Sequence, residues 1–139
     1  MKAETNYTLK IATSIHADDY DDVIEVTAPC RYSFADGVHR LGYDDEENGF
    51  TVVKITPDGG IQIRRSRSFP ILLRQGYAHS VDCETPYGAI PMVFTLQSAH
   101  CSLTGRGGRV EYVSQVEIDG APQINRVVME LTENTERIE

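Results

Sequence analysis

Residues 23–34 read VIEVTAPCRYSF, and their informative property is alternation. Ile24, Val26, Ala28, Cys30, Tyr32 and Phe34 are apolar or aromatic, with Glu25, Thr27, Pro29, Arg31 and Ser33 between them. Successive side chains of a strand point to opposite faces, so a period of two predicts a half-buried strand with one wet face. Pro29 falls on the wet face and cannot donate to a ladder, so an edge or a bulge is expected there.

The same period recurs along the chain. YTLKIATSI sets Tyr7, Leu9, Ile11 and Ile15 on one face, and AIPMVFTLQSAHCSL does so with Ile90, Met92, Phe94 and Leu96. RVEYVSQVEI offers Val110, Tyr112, Val116 and Ile118, and NRVVMEL offers Val127, Met129 and Leu131. Turn signals separate the runs: Asp36-Gly37, Asn48-Gly49, Asp58-Gly59-Gly60, the glycines from 105 to 108, and Asp119-Gly120. Strands are expected over 6–16, 22–35, 38–44, 50–56, 61–67, 77–84, 89–103, 109–118 and 122–132. No stretch keeps a helical period, so the chain reads as all-β. Short connections predict antiparallel pairing of sequence neighbours. Closure into a single up-and-down barrel of about 8–10 strands hides the edges, with a two-sheet sandwich as the competing architecture.

At 139 residues the chain is expected to be one domain, 1–139, able to bury a core without a disulfide or a metal. Thirteen basic against 21 acidic residues give a net charge of −8. That sum repels phosphate backbones and anionic membranes, so no nucleic acid and no membrane partner is expected unless the basic residues cluster. The first ten residues lack the apolar core of a signal peptide, and no 18-residue apolar run exists. Three cysteines with no CxxC pair fit reduced thiols, so a cytoplasmic location is expected.

The run HRLGYDDEENGFTVVKITPDGGIQIRR at 39–65, then CETPYG at 83–88, resembles the YwiB family of small bacterial proteins. The resemblance extends from the opening strand to NRVVMELT and implies a lipocalin-like (calycin-like) β-barrel. It implies no activity. At Arg67 this chain carries a cation where the family pattern commonly has glycine.

Chemistry is sparse. Asp44, Glu46, Asn48 and Gly49 fall at calcium-loop spacing, but position 12 is Ile55 and the flanks read as strands, so a hairpin tip is expected. With no HxH, HExxH, CxxC or GxSxG, neither a metal, a cofactor nor a catalytic residue is expected. Arg65 and Arg67 are in phase with Ile61 and Ile63, which predicts two guanidiniums on an inward face. They serve either as a clamp for a carboxylate or phosphate or as structural ion pairs. His79 shares a face with Tyr77, Val81 and Cys83, and His100 with Met92, Phe94 and Leu96. Arg65, Arg67, His79, His100, Tyr32 and Phe94 are therefore expected to line the interior and to bind a small apolar or anionic ligand. The alternative is an assembly protein, a homodimer among the options, acting through an edge at Pro29 or an exposed apolar loop at Phe69, Ile71 and Leu72. An enzyme acting on a bound lipid or anion is the weaker third reading.

Overall fold

A computed structural model describes residues 7–134. Asn6, the first residue of the expected 6–16 strand, and both ends of the expected 1–139 domain lie outside the described residues. Ten strands follow one another: β1 (Tyr7–Ala17), β2 (Asp21–Ala35), β3 (Val38–Asp45), β4 (Gly49–Ile55), β5 (Ile61–Arg65), β6 (Ile71–Leu73), β7 (His79–Thr85), β8 (Gly88–Thr104), β9 (Gly107–Ile118) and β10 (Ala121–Glu133). Among the described residues there is no helix.

Their order across the sheet is β6-β5-β4-β3-β2-β1-β10-β9-β8-β7. Every neighbour in sequence pairs antiparallel except β6 and β7, and β1 pairs with β10 from Tyr7–Glu133 to Ala17–Gln123. Joining the terminal strands curls the meander into a nearly closed barrel. Its seam lies between β6 and β7, where a single bridge, Arg74 to Tyr77, crosses. Two-residue Asp-Gly turns set the register of two hairpins. Asp36 and Gly37 adopt φ of 55° and 79° between the paired Ala35 and Val38, as a type I′ turn requires.

The inward alternation is realised. Leu9, Cys30, Leu41, Val53, Ile61, Leu73, Val110 and Val116 are almost wholly buried. Strand β2 is shared between two partners: residues 21–30 pair with β1, and only 31–35 pair with β3. Pro29 thus lies opposite Thr8 with no strand on its other side, at the edge its missing N–H predicts.

Two expectations need correction. Strand β5 ends at Arg65, so the expected 61–67 strand is two residues too long, and Arg67 falls in the following turn, exposed. The stretch expected as an exposed apolar loop carries a tenth strand, β6, and Leu73 within it is 2% exposed. Phe69 and Ile71 pack against the core. The β3–β4 tip is a turn built on Asp45, which accepts the Glu47 and Asn48 amides at 2.8 and 3.3 Å.

Candidate functional site

Strand phase delivers Arg65 to the interior, third in the inward series after Ile61 and Ile63 and directly across from buried Thr51. Its Nη2 donates to the Phe69 carbonyl at 2.9 Å, and its guanidinium carbon lies 5.0 Å from the centre of the Phe69 ring. Its Nε is buried and has no hydrogen-bond partner among the described residues. Among the described residues no carboxylate lies within 4.0 Å of it, so the expected ion pair is not what holds this cation. Burial pulls its pKa below the ordinary value, opposed by Tyr43, Asp45 and Tyr112 nearby. Those neighbours are shifted as well. Burial, with Asp45 adding to it, pushes the Tyr43 hydroxyl up to about 12, and burial raises Tyr112 further.

An aromatic run leads from Arg65 across the seam. Phe69 lies 6.1 Å from Phe94 of β8, Phe94 lies 6.4 Å from His79 of β7, and His79 lies 6.2 Å from Tyr77. The Nε2 of His79, like the Nε of Arg65, is buried without a partner among the described residues. Native proteins pair nearly all buried polar atoms, so two orphans on one aromatic cluster are unusual. Phe94 also lines a cavity of about 60 Å³, with Ile63, Leu73, Tyr112, Ser114 and Asn125 among others; neither Arg65 nor His79 is part of its lining. That is room for a few atoms, well below the several hundred Å³ of a drug-sized site.

Of the six residues expected to line one interior site, His79 and Phe94 are neighbours, and Arg65 reaches Phe94 only through Phe69. Tyr32 points inward but belongs to another group, three strands from β5. Its hydroxyl shares a 2.7 Å hydrogen bond with Nδ1 of His39, and its ring meets that of Tyr7 edge-on at 5.5 Å. Arg67 is exposed and donates from Nη2 to the Glu46 carbonyl at 3.1 Å, tying the β5–β6 turn to the β3–β4 tip.

His100 also lies outside the barrel, opposite Glu111 on β9. The cause is a β-bulge between Leu96 and Ser98. One extra residue reverses the alternation, so Cys101 and Leu103 take the inward phase that His100 would have continued. Sequence reasoning put Phe69 in an exposed loop and missed its contact with Arg65. Its place before Pro70 biases it to extended backbone, and the apolar Ile71–Leu73 run behind it was a further signal.

The family model "Domain of unknown function (DUF1934)" matches residues 9–131. A crystal structure of the ywiB protein from Bacillus subtilis matches 97% of this chain and 96% of its own, with a TM-score of 0.80 and 20% sequence identity. The kinship with YwiB seen in the sequence therefore holds at the level of fold. No curated protein matches the chain.

Proposed function

The chain belongs to the DUF1934 family, and on that premise we propose that it binds a small anion with a short apolar tail inside the barrel, at the β6–β7 seam. The observation that carries this reading is the pair of orphaned nitrogens, Arg65 Nε and His79 Nε2, flanking Phe69 and Phe94. A guanidinium offers a carboxylate two parallel donors, and here one of them is buried and unused. The Phe69 and Phe94 rings supply the apolar contact. The cavity of about 60 Å³ limits the resting ligand to a few heavy atoms. A larger one enters by parting β6 from β7, which a three-residue strand and one bridge oppose weakly. Calorimetric titration with butyrate and with inorganic phosphate tests the proposal. Saturable heat in the wild type that vanishes in Arg65→Met supports it, whereas equal heats in the two proteins, or none in either, refute it.

A second reading has its own support. Residues 21–28 of β2 have a partner on one side only, and Val23 and Ile24 within them are 61% and 47% exposed. An apolar open edge is a template for pairing with another chain. Under this reading the protein self-associates through β2, light scattering shows a concentration-dependent dimer, and Ile24→Lys abolishes it. A strict monomer at high concentration removes this reading.

A further inference from the structure

The basic residues are not spread evenly over the chain. On the outer face of β2–β5 the outward positions include Arg31, Arg40, Lys54 and Arg64; Asp44 is the one outward carboxylate where these strands pair with one another, and Asp21 and Glu25 lie farther along β2, where it pairs only with β1. The register places Arg31, Gly42, Val52 and Arg64 in one row across four strands, with Arg40 and Lys54 side by side in the next. Three strand spacings separate Arg31 from Arg64, roughly 14 Å. Among the described residues none of the four cations lies within 4.0 Å of a carboxylate.

Phe50 stands in the middle of this face, 45% exposed. Its ring lies over Gly42 so closely that a Cβ there would be 3.2 Å from Cζ. Depressions flank the ring on both sides. One, of about 420 Å³, includes Arg64, Arg65, Ser66 and Pro70 in its lining. The other, of about 180 Å³, includes Pro29, Arg31 and also the acidic Asp44. An aromatic plane between two hollows, each edged by an arginine, has the layout of a base-stacking platform with phosphate contacts beside it.

We propose that this outer face binds single-stranded nucleic acid, with a base stacked on Phe50 and phosphates on Arg31, Arg40, Lys54 and Arg64. A flexible strand can follow the convex outside of a barrel, whereas a rigid duplex meets it along a line and has no free base for Phe50. The net charge of −8 opposes binding as a sum, but a local field depends on where the charges lie. Acidic turns bound the site, with Asp36 and Asp58 at one end of these strands and Glu46 and Glu47 at the other. Together they confine contact to the central rows.

Fluorescence anisotropy with a short labelled oligouridylate, titrated against salt, tests the inference. Four contacts predict a slope of log affinity against log salt of about −3, at about 0.7 per phosphate. The double variant Arg31→Ala/Arg64→Ala halves that slope to about −1.4. Phe50→Ala weakens binding about tenfold, the effect of one lost stack, and leaves the slope unchanged. Arg31 and Arg64 are exposed, so their replacement does not disturb the core. Absence of binding at low salt overturns the proposal. So does equal binding of a duplex, or displacement by polyglutamate as effective as by unlabelled strand, since either marks a face that attracts charge alone.

Discussion

Arg65 ends β5 with Nη2 on the Phe69 carbonyl and Nε on nothing, and that imbalance has consequences for stability. Removing one partner of a buried ion pair typically costs about 3–5 kcal/mol, whereas removing an unpaired desolvated charge is nearly neutral. Arg65→Met therefore changes the unfolding free energy by about 1 kcal/mol or less, the cost of one hydrogen bond. Chemical denaturation checks this, and a loss in the ion-pair range would show a carboxylate partner in solution. Asp45 behaves oppositely. Burial raises its pKa, but hydrogen bonds from the Glu47 and Asn48 amides and from the Asn48 side chain outweigh that, and its carboxyl stays below the usual range. A depressed folded-state pKa gives stability that is whole above the unfolded value of about 3.9 and is lost as pH falls through the folded one. The melting temperatures of wild type and Asp45→Ala accordingly differ at pH 5 and converge in stronger acid. A gap that stays constant would contradict the hydrogen-bonded turn. Arg65 was legible as an inward cation because Ile61 and Ile63 set its phase. Its lack of a carboxylate was not, since that depends on which of 21 acidic residues the barrel brings near.

Strands announce themselves by alternation, and interruptions of it are quiet. Phe94 and Leu96 alternate visibly, but Gln97, Ser98 and Ala99 are small or polar and mark neither face, so the bulge left no trace in the sequence. His100 was misplaced for that reason alone. Deleting Gln97 removes the extra residue, so the alternation runs unbroken from Leu96 and keeps Cys101 and Leu103 inward. Alkylation of Cys101, which is half-buried, therefore stays as slow as in the wild type, and Cys30 stays protected by full burial, which pushes its thiol up to about 11. Faster alkylation of Cys101 would mean that the bulge persists and the residues after it turn over instead. Strand β6 was missed for a different reason: three apolar residues, Ile71 to Leu73, are too few to show a period. Leu73 sits opposite Ile61 in the core, so Leu73→Ala costs about 2–5 kcal/mol by denaturant unfolding. A surface-like cost within about 0.5 kcal/mol would return the segment to a loop.

At the level of the whole molecule the ring is strong where β1 meets β10 along eleven residue pairs and weak where β6 faces β7. Amides of β6 and β7 therefore exchange with solvent before those of β1 and β10, and the reverse order would misplace the opening. The all-β class, the antiparallel meander and the Asp-Gly hairpins were readable from period and turn chemistry. Closure through β1 and β10 was not, because it pairs residues more than a hundred positions apart and no local pattern records it. Charge misled in a similar way, as the sum of −8 concealed a basic face that only strand register assembles. The seam matters most because the two orphaned nitrogens lie beside it. Nitrogen-15 NMR of the arginine side chains during a butyrate titration observes the Arg65 Nε–H directly. A saturable shift confined to that signal, which Arg65→Lys identifies by removing it, is the predicted result. Arginine signals that drift together without saturating, or an Arg65 signal that does not move, would contradict an anion site inside the barrel.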